Sequence, residues 1–141
     1  MPNGNRLAAE WAPRMLSVLR IVVGLLFMEH GSAKLLGFPH VAGFDHLQPF
    51  QLLWFAGVLE LFGGGLIVLG LFTRPAAFLL SGEMAVGYFM FHNRIAFFPL
   101  LNHGEAAAFY CWVFLYFFAA GAGPWSLDRI FMRQGGERAP A

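Results

Sequence analysis

Charge is scarce in this chain. Only 12% of its 141 residues are Asp, Glu, Lys or Arg, well below the ~25% of a typical soluble domain. With 58% hydrophobic and 17% aromatic residues, too little polar material is left to cover a water-facing surface, and the composition is that of a membrane protein. Cysteine is almost missing as well. The single Cys111 excludes an internal disulfide and a Cys-x-x-Cys couple, and with them a dithiol relay within the chain. No block of Lys or Arg is present and the formal charge is +1, so no nucleic acid or other polyanion is expected as a partner. The stretch from Met1 to Pro13 has no short apolar core followed by a small-residue cleavage site, so the first hydrophobic segment is expected to be a span and not a signal peptide. Internal repeats and low-complexity segments are also lacking.

What the chain has is long apolar runs. A crossing of the ~30 Å hydrocarbon layer takes about 20 residues, which predicts spans at about 15–36, 50–72, 75–92 and 104–122. The expected fold is therefore an all-α, integral membrane four-helix bundle, one domain over 1–141 with short tails. Thr73-Arg74-Pro75 reads as a tight turn with proline at a helix start. The longer connections, 37–50 and 92–104, carry four of the five histidines and would lie together at one end. Arg6, Arg14, Arg74, Arg129, Arg133 and Arg138 fall at the opposite end. The positive-inside bias then predicts both termini in the cytoplasm.

Ionisable groups within spans cost roughly 2.5–3.5 kcal/mol each and normally face the bundle or a wet cavity. In the first span Arg20, Gly24, Phe27, Gly31 and Lys34 recur every three or four residues and form one inward stripe, with His30 beside it. Glu29 falls on the opposite side, toward the outer interface or a neighbouring subunit. Glu60 sits midway along the second span on a face of Ala56, Gly57, Gly63 and Gly64, with Arg20 or Lys34 as its expected partner. Glu83 shares a face with Ala76, Gly87 and Met90 and is expected to point inward, nearer the cytoplasmic half. Two readings stand for these groups: an interhelical ion-pair network that fixes register, or a polar pocket or proton path.

Asn102-His103-Gly104-Glu105 precedes the last span. Asn102 suits an N-cap and Glu105 the reciprocal position of a capping pair. His103 and Glu105 would also stand at the outer mouth of the bundle with His30, Lys34, His40, His46 and His92. No spacing in this set is that of a metal site, and none is expected. Phe109, Tyr110, Trp112, Phe114, Tyr116, Phe117 and Phe118 would suit a quinone ring, or equally a lipid-facing surface.

These elements together resemble the DoxX family of small four-helix bacterial inner-membrane proteins. The resemblance spans roughly residues 16 to 131. It rests on Arg20 with Gly31 and Lys34, the Glu60-Leu-Phe-Gly-Gly-Gly segment, Leu69-Gly70-Leu-x-Thr73-Arg74, Asn102-x-Gly-Glu105 and Gly121-x-Gly-Pro-x-Ser-Leu-Asp128. It implies a helical membrane bundle, and it looks toward the DoxD-like subunit of thiosulfate:quinone oxidoreductase and toward DoxX proteins of membrane redox and thiol-stress complexes. On that basis the expected function is a membrane subunit or partner of a redox system, holding a quinone or similar ligand among Arg20, Lys34, Glu60 and Glu105. A redox partner protein, membrane lipids and further copies of the chain are its expected partners. The alternative is a non-catalytic membrane scaffold, with small-solute transport ranked below it. No catalytic residue is assigned.

Overall fold

The computed structural model describes residues 4–137, and side chains over 6–132. It is all-helical among these residues. Helix α1 runs Gly4–Leu36, α2 Leu52–Leu69, α3 Thr73–Gly87, α4 Glu105–Ala120 and α5 Leu127–Glu137. A π-helical segment, Leu59–Gly63, lies inside α2, and another, Tyr88–His92, extends α3. By length and composition, α1 from Arg6 and α2 are long and apolar enough to cross a membrane, and α4 is a shorter apolar helix. The chain is thus an all-α membrane bundle.

Two helix pairs build it. In the first, α1 and α2 run antiparallel with glycines against glycines: a Cβ on Gly24 would stand 3.0 Å from the Gly64 carbonyl, and one on Gly31 2.8 Å from that of Gly57. The seven-residue spacing of Gly24 and Gly31 keeps both on one face of α1, and the backbones touch where membranes offer no hydrophobic drive for association. Gly63 of the same segment faces the other way, onto Leu80 of α3. The glycine-rich face expected as one surface is therefore split between two neighbours. In the second pair, Ser81 donates to the Cys111 carbonyl at 2.8 Å and Arg74 to that of Phe118 at 2.8 Å, tying α3 to α4.

Between the pairs lies a core of Val23, Phe27, Ile67, Ala77, Leu80, Phe114 and Phe117. Phe27 meets the Phe114 ring edge-on at 4.7 Å between centroids. Outside, the pattern is inverted relative to a soluble protein: Phe55, Phe62, Phe78, Phe109 and Trp112 are all at least half exposed, as lipid contact requires. The aromatics of α4 thus divide among three roles. Phe109, Trp112, Tyr116 and Phe118 face outward, Phe114 and Phe117 fill the core, and Tyr110 lines the interior cavity.

Both ends are helical beyond the expected spans. The first helix begins at Gly4, ahead of the span expected from about residue 15, and passes through Pro13. The segment after Asp128 continues as α5 through Glu137, with Ile130, Phe131 and Met132 exposed along it. Residues 138–141 of the expected tail lie outside the described residues.

Candidate functional site

The polar groups gather at opposite ends of the bundle, and the two gatherings differ in kind. At the end that holds the short α2–α3 turn, Arg20 is fully buried. Its Nε donates to the Ala122 carbonyl at 2.9 Å, Nη2 to Trp125 at 2.6 Å, and Nη1 to Val68 at 2.6 Å and to Ile67. The guanidinium fork binds carbonyls of the last turn of α2, of which Ile67 also accepts from Gly70 N–H at 3.1 Å, and fastens them to the loop after α4. Gly70 ends α2 at φ 64°, with Leu71 N–H donating back to the Leu66 carbonyl at 3.0 Å. A Cβ at Gly70 would stand 2.5 Å from Ser126 and 2.9 Å from the Arg20 guanidinium carbon. The Asp128 carboxylate then accepts from Phe72 N–H at 2.7 Å and Thr73 N–H at 2.9 Å, capping α3. Trp125 N–H donates to Ser17 at 3.1 Å. These contacts tie α1, the end of α2, the start of α3 and the loop after α4 together, which makes the cluster a structural clamp; within it Thr73 Oγ1 is buried without a hydrogen-bond partner among the described residues. Arg20 is accordingly neither the partner of Glu60 nor part of a pocket.

At the other end the four helices enclose a cavity of about 460 Å³. Lys34 of α1 pairs with Glu60 Oε1 across the glycine seam, and both side chains are nearly buried. Of the two partners considered for Glu60, Lys34 is the one the structure selects, because Gly57 lies directly against the Lys34 Cβ. Glu60 Oε2 and both oxygens of Glu83 are buried with no hydrogen-bond partner among the described residues. Glu83 points inward as expected, but it lines this cavity with His92 and His103 and so belongs to the long-loop end, not to the half near the arginines. His30 lines the wall, its ring edge-on to Tyr110 at 5.8 Å. Phe44 of the first loop closes the cavity from above, under the Lys34 ammonium at 5.6 Å.

The π segments matter here. Glu60 lies in one and His92 in the other, and each inserts a residue into its helix, turning the following side chains relative to a regular α-helix. Strict 3.6-residue spacing does not contain that shift.

The stretch before α4 is corrected in detail. Asn102 is fully buried and is not the N-cap, a position held by Gly104. Its side chain accepts from Gly104 N–H at 2.8 Å and donates to the Ala96 carbonyl at 2.9 Å and to the Tyr88 hydroxyl at 3.2 Å. It therefore shapes the 96–104 loop from within, and the His92 ring hydrogen-bonds the Asn102 carbonyl at 3.0 Å. Glu105 makes no capping bond. It is exposed and borders a separate hollow with Val23, Pro99 and Phe109, so it does not join the cavity. His40 pairs with Asp45 at 2.9 Å on the exposed loop. Of the candidates, the structure brings together His30, Lys34, Glu60, Glu83 and His103, with Asn102 one layer behind. Tyr110 is the one aromatic of the last-span set that lines this cavity, and Phe44 is a cavity residue without a sequence signal of its own.

Residues 15–93 match the DoxX family, a stretch holding Arg20, Lys34, Glu60 and Glu83 and covering more than half of the chain. The chain belongs to the DoxX family. A relative from Haemophilus influenzae, described as an uncharacterized protein, is 45% identical over 129 residues, covering 89% of this chain and 96% of its own length. No solved structure matches the chain. Within this DoxX protein, the motifs that carried the resemblance separate by place: Arg20, Gly70 and Asp128 build the clamp, while Lys34 and Glu60 build the cavity.

Proposed function

We propose that this DoxX protein is a ligand-binding membrane subunit of a redox system whose cavity takes a quinone ring. The observation that carries the reading is the coexistence, in one buried space, of a charged pair and carboxylate oxygens that the protein itself leaves without partners. Buried polar groups are normally satisfied, and those that are not call for an explanation in terms of a ligand or a reaction. The cavity volume of about 460 Å³ falls in the range of small-molecule sites. Its walls also suit a flat ring with two oxygens. Phe44, Phe91 and Tyr110 supply aromatic surface. Lys34, His30 and Tyr110 carry donors for carbonyl oxygens, and Glu60 and Glu83 carry acceptors for the hydroxyls of the reduced ring. A bound quinone supplies two-electron redox chemistry. The chain's own residues would bind the ring, orient it and hold protons at its oxygens, while electrons come from a partner protein, since this chain has one cysteine and so no dithiol of its own.

The reading includes four spans in a bacterial inner membrane, with the clamp end in the cytoplasm. Support for that orientation is the position of Arg14, Arg74 and Arg129 at the clamp end against Arg94 alone in the long loops. Reporter fusions after Arg133 are expected to read cytoplasmic, and a label at His46 to be accessible from outside; a periplasmic C-terminus would overturn the arrangement.

A scaffold without a ligand is the second reading, favoured by the clamp, in which the Arg20 guanidinium and the Asp128 carboxylate are both spent on backbone groups. Calorimetric titration of the protein in nanodiscs with a decyl-substituted benzoquinone separates the two. Saturable binding near one per chain, weakened roughly tenfold or more in Glu83→Leu by loss of a buried polar contact, is the expected result. A scaffold gives no saturation.

A further inference from the structure

The polar cavity does not end at Glu83. On the far side of that residue an apolar groove of about 440 Å³ runs between α2 and α3, walled by Leu52, Phe55, Leu59, Phe78, Leu79 and Val86. Cavity and groove share Leu53, Ala56, Glu83, Gly87 and Phe91, so the two adjoin across these side chains, with Glu83 facing both. The groove is a consequence of how the helices diverge. Gly63 lies against Leu80 near the short turn, which holds α2 and α3 together there. Toward the long loops the small residues Ala56, Gly82 and Gly87 line the gap instead, and a Cβ on Gly82 or Gly87 would meet nothing within 4 Å. These glycines are therefore not required by helix packing, unlike Gly24, Gly31, Gly57 and Gly64. Phe55, Phe78, Leu79 and Val86 are at least half exposed, so the groove opens sideways, toward the lipid.

The geometry points to lateral entry from the bilayer by an amphiphile with a long hydrocarbon or isoprenoid tail, its polar ring in the cavity and its tail in the α2–α3 groove. The inference rests on the quinone reading for the identity of the head group, and on the groove alone for the tail. A ligand arriving from water would need neither an apolar channel nor an opening on the lipid-facing side. A tail laid over Gly82 shields the Glu83 end of the cavity from lipid, and it places its own attached ring beside the unpartnered carboxylates. The tail is thus a specificity element: tailless rings of the same chemistry bind less tightly.

The test compares a decyl-substituted benzoquinone with its tailless counterpart in nanodiscs of one lipid composition, so that partition into the bilayer is the same for every variant. Gly82→Leu places a side chain in the groove where the structure has space. Gly65→Leu, at another open helical glycine outside the groove, controls for bulk. In wild type and Gly65→Leu the tailed ligand is expected to bind roughly tenfold or more tightly, as burial of several methylenes implies. In Gly82→Leu that preference should collapse toward unity while tailless binding changes by no more than about twofold, a shift set by the lost tail contact alone. An unchanged preference in Gly82→Leu overturns the groove and leaves the quinone reading standing. If wild type binds neither quinone, the quinone reading falls. The groove is then decided by native mass spectrometry: a tailed amphiphile retained by wild type and lost in Gly82→Leu supports it, and equal or no retention overturns it. Should Gly82→Leu fold poorly, Val86→Trp, which enlarges a side chain already exposed in the groove, supplies the same comparison.

Discussion

Arg20→Met is expected to remove most of the folded protein from membranes. The substitution keeps the apolar stem but strips donors from the carbonyls of Ile67, Val68, Ala122 and Trp125. Hydrogen bonds from a charged donor contribute about 1.5–3 kcal/mol each, and marginal folding stability is itself only about 5–15 kcal/mol. Even partial loss therefore consumes much of the reserve. Arg20→Lys should recover little, because one ammonium cannot reproduce the planar fork that reaches carbonyls on two separate segments. Arg14→Ala, at the exposed Trp11 ring, is the matched control and should leave thermal unfolding unchanged. Yield and unfolding temperature of the purified variants are the measurements, and a stable Arg20→Met protein would remove the clamp from the account.

The second large effect concerns Lys34 and Glu60. Removing one member of a buried pair leaves an uncompensated charge at a cost of about 3–5 kcal/mol, whereas replacing both with apolar residues costs far less. Lys34→Met and Glu60→Leu should each destabilise the bundle strongly, and the double variant should be substantially more stable than their sum. Arg20 and Glu60, by contrast, are held by different partners at different ends, so their substitutions should combine additively. Unfolding midpoints of the singles and doubles distinguish the two cases. Additivity for Lys34 with Glu60 would mean that the pair is not coupled.

That contrast marks how far the sequence could be read. The inward stripe of α1 was legible because a regular helix keeps Arg20, Gly24, Phe27, Gly31 and Lys34 on one face, and all are buried or, for the Lys34 side chain, nearly so. Which of the two cations meets Glu60 was not legible, since spacing along one helix says nothing of its vertical alignment with the next. That alignment is set by Gly31 seated against Gly57 and Leu61. The clamp was visible only as a set of motif residues. Their convergence depends on the left-handed backbone at Gly70, Gly121 and Gly123, which folds the loop after α4 back onto α1. Asn102 read as a cap because its type and its distance from Glu105 fit one, but His103 takes a left-handed conformation and moves the helix start past it. The π turns at Glu60 and His92 lie outside any regular period, which is why the cavity emerged only in three dimensions.

The central claim is that the two ends have different purposes: the clamp holds the fold and the cavity holds a ligand. Quantification of the quinone that copurifies with the protein in native lipid, for wild type and for the folded Lys34→Met/Glu60→Leu double variant, tests it most directly. The account predicts near-stoichiometric quinone in wild type and its loss in a double variant that remains folded. Absence of quinone from wild type, or its full retention by the double variant, would contradict it.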